Sequence, residues 1–325
     1  MFPSKALLSL VLMSLAAVDA SPLSRSTGKA TLSLATRINE SGTLNIVEKD
    51  RARAQALKNA GDLGKRAASI SVTNSMIIYT AQVGVGNPAT DCRWISYRSG
   101  NTGSTVIDTL LVDTGSSNTW IGASKAFSKT STSKDTGNTV VRFPFPHAVY
   151  VKLKGDKSVS YGSGNFSGEE WTDTITLASD MVIKDQSIGV ASSATGFDGV
   201  DGILGIGPAD LSFGTVNNTN TVPTVLDNLR SQGTISEEVL GIYYVPASEF
   251  SSTGRLTSGG YDNSVITSSV EYVPLTTTSP ASYYWGIDQS ISYGDTTILS
   301  KTAGIVDTGT TLILIASGKR HAETD

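Results

Sequence analysis

Two Asp residues sit inside one repeated device. Leu110-Leu111-Val112-Asp113-Thr114-Gly115-Ser116 runs from an apolar stretch to a carboxylate, a Thr-Gly turn and a hydroxyl. The pattern returns downstream as Gly304-Ile305-Val306-Asp307-Thr308-Gly309-Thr310. One Asp-Thr-Gly is an ordinary turn; two copies, each behind a strand-like run and each followed by Ser or Thr, ask for more than turn chemistry. Two carboxylates held about 3 Å apart cannot both ionise, so they share one proton. The charged member can take a proton from water while the protonated one polarises a carbonyl. That chemistry hydrolyses an amide without a metal or a covalent intermediate. Gly115 and Gly309 let backbone N–H groups come up against the carboxylates. Ser116 and Thr310 are placed to bond the outer oxygens. Asp113 and Asp307 are the candidate pair.

These two devices resemble those of the pepsin-type aspartic proteases, most nearly the secreted fungal members, and the likeness runs from the leader to about Ile315. The resemblance implies an all-β, bilobal fold, here with an incomplete C-terminal lobe. It also implies an aspartic endopeptidase that works at acid pH on polypeptide substrates, as a monomer, with no cofactor and no metal. Thr114 and Thr308 would lock the two loops across the lobe interface. Tyr161-Gly162-Ser163-Gly164 matches the flap that closes over bound peptide, with Tyr161 bonded to Trp120 and with Gly162 and Ser163 against the substrate backbone. Alone, that tetrapeptide is a common hairpin turn; its place between the two Asp loops makes it a flap candidate. Asp201-Gly202-Ile203-Leu204-Gly205-Ile206-Gly207 matches a strand that supports the first loop. Ser258-Gly259-Gly260-Tyr261-Asp262 resembles the crossing between lobes.

The elements that must position these residues follow in order. Residues 1–20 form a signal peptide, with Lys5, the apolar run Ala6 to Ala17 and the small-residue site Val18-Asp19-Ala20. That run is too short to span a bilayer, so no membrane association is expected and the product is secreted. Residues 21–66 read as a propeptide that inhibits its own enzyme. Ala30 to Leu34 alternates like a strand, Leu44 to Ala60 reads as a helix, and Lys65-Arg66 offers a dibasic cut. Residues 1–66 hold ten Lys/Arg against five Asp/Glu, a net +5, within a chain of net charge −4. The remainder is therefore −9, and opposite charge would hold the propeptide until acid neutralises the carboxylates. A merely solvated basic helix is the other reading of that segment. Residues 67–265 form the N-terminal lobe and 266–325 a partial C-terminal lobe. Strands are expected at Met76–Val85, Thr109–Val112, Ala148–Leu153 and Thr174–Leu177. A helix is expected from about Val222 to Gln232, capped by Thr221 and stopped by Gly233.

Other chemistries find little support. His147 and His321 are the only histidines, and neither has a partner at metal-ligand spacing. The Gly-rich segment 202–207 lacks the Lys and the helix of a phosphate loop, and no nucleic-acid motif is present. Asn39, Asn165 and Asn217 begin Asn-x-Ser/Thr sites. A glycan on Asn165 would hinder flap closure.

Two stretches depart from the resemblance. Cys92 to Asp108 has no family counterpart and holds the only cysteine. With Cys92 as TGT and Ile107-Asp108 as ATA-GAT, a segment opening GT and closing AG leaves in frame, giving Asp-Tyr-Thr-Leu-Leu-Val-Asp-Thr-Gly. The alternative is a polar loop at a hairpin tip. The second departure follows Ser317, where Gly318 to Asp325 replaces the helix and strands that the family would place there. Gly318-Lys319-Arg320 as GGT-AAG-CGN reads like a splice donor. Leu312, Ile313 and Leu314 would then stand uncovered, and a catalytically inactive, truncated product is the alternative function.

Overall fold

The computed structural model describes residues 29–38, 50, 51, 53, 54, 77–87, 106–140, 159–161, 164–178, 180–245 and 254–316. The leader, most of the propeptide, Cys92, Asn39, both histidines and the strand expected at Ala148–Leu153 lie outside them. The architecture is all-β. One sheet of eleven strands carries most of the chain, and a two-stranded sheet follows it.

The first strand, β1 (Ala30–Ile38), belongs to the propeptide segment and lies inside the large sheet. It pairs antiparallel with β2 (Ile77–Val85) and, on its other edge, with β11 (Gly254–Ser258). Leu32 and Leu34 enter the core, while Thr31 and Ser33 are exposed, the period of two that the sequence shows. The next strand inward is β3 (Val106–Asp113), which ends on the first Asp and runs parallel to β9 (Gly202–Gly205). The path continues through β4 (Trp120–Ile121) to the long hairpin of β8 (Met181–Thr195) and β7 (Gly164–Ala178), and ends at β5 (Lys134–Val140). β6 (Val159–Tyr161) pairs with the start of β7, and β10 (Leu240–Tyr243) closes the other edge on β11.

The expected helix forms as α1 (Val225–Ser231), but Thr224 caps it and Thr221 does not. The Thr224 hydroxyl accepts from the Asp227 N–H while the Asp227 carboxylate accepts from the Thr224 N–H, a reciprocal capping box three residues further on. Val225, Leu226 and Leu229 face inward, and Gly233 at φ +77° ends the turn.

β3 begins three residues earlier than expected and takes in Asp108. The side chains of Asp108, Leu110 and Val112 share one face, and that face enters the main core opposite Val83. Asp108 is buried, and one of its carboxylate oxygens has no hydrogen-bond partner. The in-frame removal described above would put tyrosine at this strand position. Burial pushes the Asp108 carboxyl up to about 6; Lys125 partly offsets this and Asp201 adds to it. A raised carboxyl costs nothing below the ordinary value and its full penalty above about pH 6. Asp108→Leu is therefore expected to stabilise the protein by about 2 kcal/mol more at pH 7 than at pH 4, solvent screening included. Urea unfolding at the two pH values measures the difference.

The second sheet pairs β12 (Gly286–Tyr293) with β13 (Thr296–Ile305), which leads to the second Asp. No strand among the described residues lies on the other edge of β13. Apolar side chains stand open here: Tyr293 is 83% and Ile313 87% exposed, and Leu312 and Leu314 are also exposed. The first sheet buries its equivalents, so the uncovered apolar surface is confined to one side of the molecule.

Candidate active site

Both Asp-Thr-Gly loops leave the end of a strand, and only the first is supported from below by another strand. There, the Ile206 N–H donates to the Asp113 carbonyl at 2.9 Å and the Gly207 N–H to the Ser116 carbonyl at 2.8 Å. On the second loop, Trp285 reaches across instead, its indole N–H donating to the Ile206 carbonyl at 3.1 Å.

Within each loop the carboxylate is held the same way. Asp113 accepts from the Gly115 N–H at 3.0 Å and the Ser116 hydroxyl at 2.6 Å. Asp307 accepts from the Gly309 N–H at 3.0 Å and the Thr310 hydroxyl at 2.5 Å. The two loops then interlock. The Thr114 N–H donates to the Thr308 hydroxyl and the Thr308 N–H to the Thr114 hydroxyl, both at 2.9 Å. Each hydroxyl donates onward to the opposite strand, Thr114 to the Val306 carbonyl and Thr308 to that of Val112. Glycine is required at the crossing: a Cβ on Gly115 would lie 2.5 Å from Asp307 Oδ1, and one on Gly309 2.6 Å from Asp113 Oδ1.

A third chain segment fills the space between the carboxylates, and sequence reasoning did not single it out. Residues 50, 51, 53 and 54 of the propeptide segment are helical, and Arg53 is buried between the loops. Its Nη2 donates to Asp113 Oδ1 at 2.6 Å and to Asp307 Oδ1 at 2.9 Å, and its Nε donates to Asp307 Oδ2 at 2.7 Å. One turn away on the same face, Asp50 accepts from the Leu312 N–H at 2.6 Å, just past the second loop. General charge attraction was the sequence-based expectation; the contact is a fitted plug. Lys49, Arg51, Arg53 and Lys58 stand close together in the chain, and nothing local marks which one reaches inward.

The electrostatics follow from that fit. Burial pushes the Asp113 carboxyl up; Arg53 opposes this and Asp307 adds to it, and the net direction is upward. Burial also pushes Asp307 up, but the Arg53 charge and hydrogen bonds, with Thr310 and Gly309, outweigh it and hold the carboxyl below its ordinary range. For Arg53, burial alone would favour the neutral form, yet the two carboxylates hold the guanidinium all the more firmly charged.

Of the flap residues, Tyr161 ends β6 opposite Gly164, while Gly162 and Ser163 lie outside the described residues, as do the Tyr161 side chain and its contact with Trp120. Trp120 itself is fully buried, stacked on Phe166 of β7 at 4.2 Å and edge-on to Phe197. The return strand of the hairpin is thus seated on the residue that follows the first loop. No group of His, Cys, Asp and Glu among the described residues is arranged to hold a metal.

An all-β chain that interlocks two Asp-Thr-Gly loops across a cleft has the architecture of a pepsin-like aspartic protease. The family model for eukaryotic aspartyl proteases matches residues 103–322, and the chain belongs to that family. It is 52% identical to polyporopepsin of Irpex lacteus over 255 residues, which are 77% of this chain and 65% of that protein. It is 35% identical to rhizopuspepsin-1 of Rhizopus niveus over 211 residues, 63% of this chain and 50% of the relative. The crystal structure of the aspartic proteinase from Irpex lacteus superposes with a TM-score of 0.61 at 50% identity, covering 74% of this chain and 62% of that one. The chain therefore spans less than two thirds of the length of these relatives.

Proposed function

We propose that this chain is the zymogen form of a secreted aspartic endopeptidase that hydrolyses polypeptides at acid pH. The observation that carries the reading is the meeting of Asp113 and Asp307 on one nitrogen of Arg53. With Arg53 withdrawn, the same oxygens face a space sized for a water molecule. Repulsion between the carboxylates then retains one proton on the pair, which titrates as a unit. The ionised member accepts a proton from water as the oxygen attacks the scissile carbonyl; the protonated member donates to the carbonyl oxygen. The Thr114/Thr308 lock, Gly115, Gly309, Ser116 and Thr310 keep both carboxylates in place, and the Tyr161 hairpin closes over the peptide.

Residues 1–20 act as signal peptide and 21–66 as an intramolecular inhibitor, cut after Arg66. Residues 67–265 form one lobe and 266–325 part of a second, in a monomer. The plug yields to acid with a definite sign. Asp307, held below its ordinary value, supports the closed form fully above the ordinary carboxylate pKa, and that support fades as pH falls through the depressed value. Arg53 stays charged throughout.

The uncovered apolar residues around β13 favour a second reading, in which the 325-residue chain folds its first lobe but positions Asp307 too loosely for turnover. Misplacement of about 1 Å costs on the order of a hundredfold in rate. The experiment compares the 325-residue chain with the same chain carrying the remaining third of polyporopepsin at its C-terminus, both assayed for cleavage of denatured protein at acid pH. Cleavage blocked by a statine-type transition-state mimic supports the protease. Cleavage by the extended chain alone supports the second reading for the shorter one, and none by either contradicts both.

A further inference from the structure

We propose that Tyr244 is a positioning residue for the Asp307 loop: its buried hydroxyl steadies the Thr308 hydroxyl and so sets Asp307 against Asp113. The inference rests on reading those carboxylates as the hydrolytic pair. Tyr244 follows β10 directly, and its ring stacks on Tyr79 of β2 with centroids 3.7 Å apart and planes 10° from parallel. Tyr79 is fixed in turn, its hydroxyl donating to the Val245 carbonyl at 2.7 Å. The two phenols thus form a rigid bracket from two strands, and the bracket leaves Tyr244 a single rotational freedom, that of its O–H.

That hydroxyl is closed off from solvent without a hydrogen bond of ordinary geometry. The polar group it faces is the Thr308 hydroxyl, and both Asp113 and Asp307 lie within electrostatic reach. A hydroxyl oxygen offers one donor and two acceptor sites. Thr308 Oγ1 donates to the Val112 carbonyl at 3.0 Å and accepts from the Thr114 N–H at 2.9 Å. One acceptor site remains, and Tyr244 is the donor that faces it. An unmade bond at a buried phenol is costly, so a small approach of the loop toward Tyr244 is favoured. Burial, and the carboxylates beyond Thr308, keep the phenol un-ionised, so it can act only as a neutral donor. The charged and titratable groups around it are Arg53, Asp113, Asp307 and Tyr79, and none competes for its proton below neutral pH.

Tyr244→Phe keeps the stack and removes the donor. In the 325-residue chain labelled with ¹⁵N-arginine, the Arg53 Nε–H signal, assigned by its loss in Arg53→Lys, reports whether Arg53 is seated on Asp307. Acid titration of that signal gives the opening midpoint without any turnover. A looser loop holds Asp307 less far below its ordinary value, so the midpoint should rise by about half a pH unit in Tyr244→Phe. In the processed, C-terminally extended enzyme, kcat should fall about tenfold with KM within about twofold. The melting temperature should change by less than about 2 °C, which separates positioning from packing. An unchanged midpoint overturns the proposal, as does an unchanged kcat in an active enzyme. A shifted midpoint in a chain that cleaves nothing keeps Tyr244 as the positioning residue and removes the proteolytic reading instead.

Discussion

Arg53→Met is expected to open the closed form at neutral pH. Arg53 makes three charge-assisted bonds to two buried carboxylates, at 2.6 to 2.9 Å. Removing one partner of such a set leaves uncompensated charge and costs about 3 kcal/mol or more, which is roughly a hundredfold in the ratio of closed to open forms. Methionine keeps the length and apolar bulk of the side chain, so the helical residues around it retain their packing. The measurement is binding of a fluorescent statine-type peptide at pH 7, followed by anisotropy. The variant should bind where the parent does not, and the parent should bind only after acidification. Equal exclusion of the probe from both at pH 7 would show that the rest of the propeptide, rather than Arg53, closes the cleft. Asp50 gives a graded comparison: Asp50→Ala loses one bond to the Leu312 N–H and leaves the plug, so its shift should be much smaller.

The second large effect is on the pair itself. Asp113→Asn, in the processed and extended enzyme, should lower turnover at least about a thousandfold, and Asp307→Asn should do the same. Amide side chains preserve the hydrogen bonds from Gly115, Ser116, Gly309 and Thr310 in number but remove the shared proton. Because the two carboxylates act as one unit, the double variant should be scarcely worse than either single one. Single losses that multiply in the double variant would mean that each Asp works independently, and the shared-proton account would fail.

How far the chain could be read without coordinates depended on what kind of signal each part carries. The carboxylate loops were readable because a duplicated Asp-Thr-Gly behind an apolar run is a local pattern with a chemical reason. β1 was readable from Leu32 and Leu34 at period two, although its place between β2 and β11 was not, since pairing partners lie far away in sequence. Thr221 was a plausible helix cap; Thr224 won because Asp227 could reciprocate, a detail of geometry as much as of composition. Arg53 was hidden among similar basic residues, and only the fold says which one meets the loops. Tyr244 carries no motif at all, and its meaning comes from Tyr79 and Thr308, residues distant in the chain. Asp108 is the converse case: a polar residue at an apolar strand position is visible in the sequence, but its burial and bare oxygen are needed to give it an energy.

The pH dependence of peptide hydrolysis by the processed, extended enzyme tests the central claim most directly, because only a pair sharing one proton requires both an acid and a base within the carboxylate range. The account expects kcat/KM to follow a bell with its maximum below neutrality. The acid limb marks protonation of the second carboxylate, and the alkaline limb marks loss of the shared proton. Both limbs should vanish with the activity in Asp113→Asn. A rate that climbs through neutral pH to a plateau, or a bell that survives in Asp113→Asn, would contradict hydrolysis by Asp113 and Asp307.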